Sequence, residues 1–284
     1  MLSVIQKYGK SIRVKDIRMI LANTFSMLCF YFAVLLFSGI AFGLSITFVD
    51  VGHGDCVVME DETVLVVVDC GDSQGGEALE KLLLEKGRKI DILFITHPHP
   101  DHFFGAANIK ELISTDFIYW NGDVYDHEDY YSTLESLKNA GKILKTTGKG
   151  DKFNFEDFSI EVIHPDSDFL EKSNDLNDRS LVMMVSKGKK RMLLTADITA
   201  EAQKYLLESY KSEDLAADIM KMPHHCSKKA FSEEFVRAVA PRAVIISTGP
   251  SEYNYPDEDC INSIGSSVPV VLRTDKEGSI SLIW

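Results

Sequence analysis

Three imidazoles and a carboxylate fall within six residues in the run Thr96-His97-Pro98-His99-Pro100-Asp101-His102, directly after an apolar stretch, residues 91–95, that reads as a buried strand. Few folds can use such an H-x-H-x-D-H run except by turning it into a metal cradle at a strand's end. Its two prolines fix φ and remove two backbone donors. The chain is therefore expected to leave the strand extended, and not as the first turn of a helix, with His97 and His99 pointing the same way. Asp101 and His102 follow at the turn, directed towards a neighbouring ion, and residues 105–114 read as the next helix. Neutral imidazoles and carboxylates at this spacing suit borderline divalent metals, zinc first. A His-rich surface loop is the alternative, but the Pro and Gly punctuation sets the ligands at a strand's end.

A hydrolytic metal site needs ligands from several segments, and the chain offers Asp69, His164, Asp197, His224 and His225 after apolar runs. A carboxylate emerging from a buried strand is costly without a partner. Asp197, after Met192-Leu193-Leu194-Thr195, is expected to bridge two ions. Asp69, after residues 64–68, is either a ligand or a turn carboxylate capping backbone donors, and His164 is either a ligand or a loop histidine. In Lys221-Met222-Pro223-His224-His225-Cys226-Ser227 one histidine is expected to bind metal and the other to orient the site or meet the leaving group. We assign His224 as the ligand and His225 as the second. Cys226 reads as a packed neighbour or a softer ligand, His53 lies in a glycine turn, and His127 lies in a solvated acidic loop.

Residues 19–43 form 25 consecutive positions without a charge, after the basic residues Lys7, Lys10, Arg13, Lys15 and Arg18. About 20 apolar residues span a bilayer, and the basic flank puts residues 1–18 in the cytoplasm. A single-pass membrane protein with its remaining domain, residues 44–284, outside the cytoplasm is expected; the domain is secreted if Ala41-Phe42-Gly43 marks a cleavage site. That domain carries 25 Lys or Arg against 42 Asp or Glu, a net charge of −17. An acidic surface argues against a module that grips nucleic acid with a basic patch. Bound cations can reverse the potential inside a site, so a phosphodiester, DNA included, stays open as substrate. Of five cysteines, Cys56, Cys70, Cys226 and Cys260 belong to the domain, either as two disulfides or as buried thiols, with connectivity undetermined.

Strands are expected over residues 44–49, 56–60, 63–68, 91–95, 117–120, 143–146, 153–155, 159–163, 181–185, 191–195, 219–222 and 243–247. Helices are expected over 77–86, 106–113, 131–140, 200–210 and 232–239. Two β-rich halves with the same grammar predict a sandwich of two mixed sheets flanked by helices, with ligands at strand ends along one edge.

With the cradle, Asp69, Asp197 and His224-His225 in this order, the chain resembles the metallo-β-lactamase superfamily. Its runs Phe48-Val49-Asp50-Val51-Gly52-His53-Gly54-Asp55, Asn177-Asp178-Arg179-Ser180-Leu181-Val182, Leu193-Leu194-Thr195-Ala196-Asp197 and Arg273-Thr274-Asp275-Lys276-Glu277-Gly278 resemble the extracytoplasmic hydrolase domain of ComEC-type competence proteins. The resemblance covers residues 45–284. It implies an α/β fold, a four-layer αββα sandwich, preceded here by one N-terminal transmembrane or signal helix. It also implies one or two zinc or manganese ions, and phosphodiester hydrolysis with nuclease action during DNA uptake. The chain departs from the family at His53 (usually Gln), Cys70 (Thr), Ala196 (Gly) and Cys226 (Gly). It carries Tyr253-Asn254-Tyr255-Pro256 in place of Tyr-Gly-His-Pro, and Asn177, Asp178 and Arg179 where the superfamily has its third-motif histidine.

The expected chemistry places His97 and His99 on one ion, Asp101, His102 and His224 on the other, and Asp197 between them. Water activated by the metals makes a protein nucleophile unnecessary. Asp101 would also orient that water, and Asn177 or Arg179 would stabilise the developing oxyanion. The alternatives are a hydrolase for a small ester, wall phosphocholine or β-lactam, and a metal-stabilised interaction domain without turnover.

Overall fold

A computed structural model describes residues 43–284. The basic N-terminus and all but the last residue of the expected membrane segment lie outside the described residues. Among those described, no helix is long and apolar enough to cross a membrane.

Two seven-stranded sheets form the centre. The first contains β1 (Ser45–Phe48), β2 (Val57–Glu60), β3 (Leu65–Val68), β4 (Ile92–Ile95), β5 (Phe117–Trp120), β6 (Ile143–Thr146) and, paired to β1, the last strand β14 (Ile280–Ile283). The second runs from β7 (Lys152–Asn154) through β8 (Ser159–His164), β9 (Val182–Lys187), β10 (Lys190–Leu194), β11 (Ile219–Lys221) and β12 (Ala243–Ile246) to β13 (Val270–Arg273). Each sheet is antiparallel at one end and parallel at the other: β3 to β6 run parallel, as do β10 to β13.

Near-continuous apolar runs make these strands central because both faces are covered. Side chains alternate between faces, so Leu65 and Val67 of β3 pack under the helices while Val66 and Val68 face the other sheet. On β4, Leu93 and Ile95 face the helices and Phe94 faces the other sheet. A third core, including Phe235, Val236 and Ile264, lies beneath the helices of the second half. The expected α/β sandwich of two sheets between helical layers is what forms.

Parallel pairing positions the site. β3 and β4 run parallel, as do β10, β11 and β12, so their C-terminal ends and the loops that follow gather at one edge of each sheet. Leu181 N–H donates to Thr96 O at 3.0 Å, tying the cradle to the other half.

Three local expectations are corrected. The chain is extended through His99 (φ −66°, ψ 153°), but Pro100 then opens a one-turn helix, Pro100–Phe103; a first helical position tolerates proline because its N–H would be unpaired anyway. The helix expected over 106–113 is a single turn, Ala106–Ile109, followed by a 3-10 turn, Lys110–Leu112. The helix expected from residue 77 begins at Ser73, where Asp72 Oδ1 accepts from Gly75 N–H at 2.8 Å. Strands β13 and β14 and the helix Glu258–Gly265 were not anticipated. The cysteines follow neither pure alternative: Cys226 and Cys260 form a disulfide, while Cys56 and Cys70 are buried free thiols. A disulfide sulfur is no soft ligand, so that reading of Cys226 is withdrawn.

Candidate metal centre

Asp101, His102, Asp197 and His225 each present one ligand atom, all within 4.8 Å of one another. The cradle follows β4, Asp197 follows β10, and His225 follows β11. His225 Nε2 lies 3.2 Å from both Asp101 Oδ2 and Asp197 Oδ2, and His102 Nε2 lies 3.3 Å from Asp197 Oδ2 and 3.7 Å from Asp101 Oδ2. Ligands on a tetrahedral ion at about 2.1 Å stand about 3.4 Å apart, so these spacings match those of a coordination sphere.

The turn Gly52-His53-Gly54-Asp55 presses against the cradle from beneath. A Cβ on Gly54 would meet Asp101 O at 2.2 Å, and Asp55 N–H donates to that same carbonyl at 3.1 Å. Glycine is required there both by this contact and by a φ of 131°.

Hydrogen bonds fix which nitrogen faces inward. His102 Nδ1–H donates to Asp69 Oδ2 at 2.8 Å, leaving Nε2 buried without a partner. His225 Nδ1–H donates to Ser247 O at 2.9 Å, so its Nε2 points at the carboxylates. Thr96 Oγ1 donates to Asp69 Oδ2 and accepts from His97 Nδ1–H at 3.1 Å. His97 Nε2 then converges with His99 Nδ1, 3.0 Å away. Oriented nitrogens with a carboxylate or carbonyl behind them are what metal-binding histidines use. An orphaned buried Nε2 and two converging imidazoles thus fit a divalent cation of the borderline type.

Asp197 is held similarly. Lys221, fully buried, donates from Nζ to Asp197 Oδ1 at 3.2 Å and to Ala196 O at 2.8 Å, and pairs with Asp55 Oδ2 at 2.5 Å. Oδ2 of Asp197 is left to face His102 and His225. Burial alone would disfavour charge on Lys221, but Asp55 and Asp197 outweigh it and raise its pKa.

Carboxylates and imidazoles packed this closely set one another's charge. Burial opposes protonation of His225, yet Asp197 and Asp101 raise its pKa to about 10. His102 is likewise pushed well above the ordinary value, against burial, by Asp197, Asp101 and Asp69. Those imidazoles in turn hold Asp101 and Asp197 well below the usual carboxylate range, against the upward pull of burial. Burial, then the charge of His102, keeps His97 neutral. His53 falls to about 4 through burial, then through His225.

At the histidine pair, His225 joins the cluster, while His224, expected to be the ligand, has Nε2 3.9 Å from Asp197 Oδ2 and lines the cavity above it. His224, His225 and Cys226 all have positive φ, from 46° to 63°, a path that sequence patterns do not reveal. Asp69 stands behind His102 as an acceptor for it and for Thr96. His164 Nε2 donates to Asp178 O at 2.7 Å and its ring packs on Phe169, and it belongs neither to that cluster nor to the second group of ligand atoms, Asp55, Asp69 and His102, among the described residues. Arg179, expected to meet the oxyanion, turns its Nε and Nη2 to Asp123 and its Nη1 to the carbonyls of Leu170 and Ser173, and it does not line the cavity. Asn177 does line the cavity, beside His99.

Sequence reasoning missed Asp55, Thr96, Lys221 and Ser247 as supports of the site. Thr96 and Lys221 were legible as polar residues closing apolar strands next to histidines. Ser247 acts through its backbone and leaves no signal.

The Metallo-beta-lactamase superfamily model matches residues 49–249. ComE operon protein 3 of Bacillus subtilis (strain 168), a ComEC-type competence protein, is 27% identical over 255 residues, covering 82% of this chain and 32% of that protein. This chain therefore spans about a third of that relative's length. Exodeoxyribonuclease WalJ of Streptococcus pneumoniae serotype 2 is 28% identical over 170 residues, covering 55% of this chain and 58% of that protein. Among solved structures, the metallo-beta-lactamase fold protein YhfI from Bacillus subtilis superposes with a TM-score of 0.53 at 12% identity, covering 83% of this chain and 99% of that one. With this family match and a two-sheet fold carrying its cradle at the strand ends, the chain belongs to the metallo-β-lactamase superfamily.

Proposed function

We propose that the chain is a divalent-metal-dependent phosphodiesterase acting on nucleic acid outside the cytoplasm. The observation that carries this reading is the cluster of Asp101, His102, Asp197 and His225, in which each imidazole turns its Nε2 inward towards the carboxylates. His97, His99 and Asp197 would hold one cation, and Asp101, His102, Asp197 and His225 a second, zinc or manganese. Such cations, when bound, lower the pKa of water to about 7 and neutralise charge developing on a phosphate. Asp69 and Ser247 keep the histidines in register, and Lys221 keeps Asp197 Oδ2 facing inward. Asp101 would orient the attacking water, and His53, kept neutral with Nε2 3.5 Å from Asp101 Oδ2, would take the water's proton and pass it towards the leaving oxygen.

Similarity to a competence protein and to an exodeoxyribonuclease supports nucleic acid as the substrate. The uncharged run at residues 19–43, as anchor or signal, and the Cys226–Cys260 disulfide support a location outside the cytoplasm, where disulfides persist. A second reading, hydrolysis of a small ester, wall phosphocholine or β-lactam, is favoured by one observation: no Lys or Arg lines the cavity of about 720 Å³ over the cluster among the described residues.

The test is to purify the full chain, measure bound metal, and assay single-stranded DNA, a chromogenic phosphodiester and a β-lactam beside His102→Ala. Metal-dependent cleavage of the first two, abolished in the variant, is expected. Turnover of the β-lactam alone would favour the second reading, and stoichiometric metal without turnover would leave an interaction domain.

A further inference from the structure

Two stacked aromatic pairs border the histidines at the cavity. Tyr253 and Tyr255 lie nearly parallel, 17° apart with ring centroids 5.7 Å apart; Tyr125 and His127 do the same at 12° and 5.6 Å. Tyr255 stacks at 25° on His225, and Tyr125 meets His99 edge-on at 5.3 Å. The pairs therefore adjoin opposite members of the ligand set, the His225 side and the His99 side. Tyr253 is 60% exposed although its ring is large and apolar, and His53 sits 5.8 Å from it. An exposed aromatic ring stacked against a second one, at the lining of a cavity, offers a flat π surface to a planar ligand.

The charges around these rings say what could use that face. The cavity's ionisable lining includes Asp72, Asp101, Asp197 and Glu252 and contains no Lys or Arg among the described residues. A polyanion cannot gain affinity there through its phosphates except at the cations. Stacking on an aromatic ring contributes about 1–3 kcal/mol per base and needs no basic residue. A duplex keeps its base faces covered; an unpaired strand does not.

We propose that Tyr253, backed by Tyr255, is a nucleobase-stacking platform that selects single-stranded nucleic acid and seats a base beside the diester to be cut. The proposal rests on the nucleic-acid reading above and adds its strand specificity. Affinity carried by stacking depends weakly on salt, unlike affinity from counterion release.

The test is binding by fluorescence anisotropy to the full chain, with fluorescein-labelled oligothymidylate, oligouridylate, an abasic oligomer of equal phosphate count, and a duplex. Tyr253→Ala is expected to weaken binding of the two unpaired oligomers about 10-fold, corresponding to about 1.4 kcal/mol, while Tyr253→Trp restores it and the abasic oligomer binds weakly to every form. The uridylate arm distinguishes RNA from DNA as the source of the base. Equal affinity for duplex and single strand, or an unchanged oligothymidylate affinity in Tyr253→Ala, overturns the platform even if the chromogenic diester is hydrolysed. Tyr253-dependent binding without turnover of any diester keeps the platform and removes the hydrolase.

Discussion

Asp69 accepts hydrogen bonds at both carboxylate oxygens. Oδ1 accepts from Thr96 N–H at 2.7 Å, and Oδ2 accepts from both the Thr96 hydroxyl and His102 Nδ1–H. Its contribution is to keep His102 in the tautomer whose Nε2 faces inward. Asp69→Asn sets an amide against Nδ1 and lets the proton shift to Nε2, where it blocks a ligand position. Metal affinity is expected to fall about 10–100-fold with the far-ultraviolet spectrum unchanged, measured by competition with a chelating dye; wild-type affinity in the variant would show that His102 needs no such partner. The second residue with a consequence is His164, wholly buried and lowered to about 4, first by burial. The unfolded chain protonates near 6.5, so stability from the neutral ring is complete above 6.5 and is lost as pH falls towards about 4, by up to about 3 kcal/mol. His164→Gln, which retains a donor for Asp178 O, should flatten the fall of melting temperature across that window; parallel curves for the two proteins would remove this account. The sequence made the cradle and Asp197 legible because their types and strand-end positions leave few other uses. Asp55 and Lys221 were not legible as a pair, because their meeting brings a turn and the end of β11 together across 166 positions of the chain.

Elements behaved as their apolar patterns require wherever the pattern is continuous. β3 and β4 are buried on both faces and were readable; β13 and β14 are short, half exposed and defined by long-range pairing, and were not. Proline proved ambiguous: the same ring that keeps His99 extended also starts Pro100–Phe103 as a helix. The turn after β11 depends on a feature hidden in cysteine chemistry. Cys226 has φ 63° where a residue without Cβ would sit freely, and its disulfide anchors that turn to the helix Glu258–Gly265. Closing a loop of sequence separation 34 is worth about 3–4 kcal/mol in the chain-entropy account. Left-handed backbone costs a side-chain-bearing residue about 1 kcal/mol relative to glycine. Cys226→Ala/Cys260→Ala is therefore expected to lose about 3–4 kcal/mol in denaturant unfolding, and Cys226→Gly/Cys260→Ala about 1 kcal/mol less. Equal losses in the two double variants would mean that the backbone at 226 relaxes once the cross-link is gone.

At the scale of the whole domain, the candidate ligand set draws on both sheets. His97, His99, Asp101 and His102 follow β4 of the first sheet, while Asp197 and His225 follow β10 and β11 of the second. A cation bound among them favours only the folded arrangement of both halves, so it should stabilise the domain as a unit. At 100 times its dissociation constant it adds about 2.7 kcal/mol, which for a domain of this size is a rise of about 5–10 °C in melting temperature. The pH dependence follows from His225, whose pKa is raised to about 10. Its protonated form supports the metal-free fold fully below 6.5, and that support is lost as pH rises from 6.5 through about 10. Metal must displace the same protons, so its binding strengthens over that interval. Calorimetric scans with manganese and with chelator should therefore show single transitions whose separation at a fixed manganese concentration is wider at pH 8.5 than at pH 6.5. A separation that narrows with rising pH would contradict the protonated His225, and one transition that splits in two on chelation would show that the sheets do not share the ion.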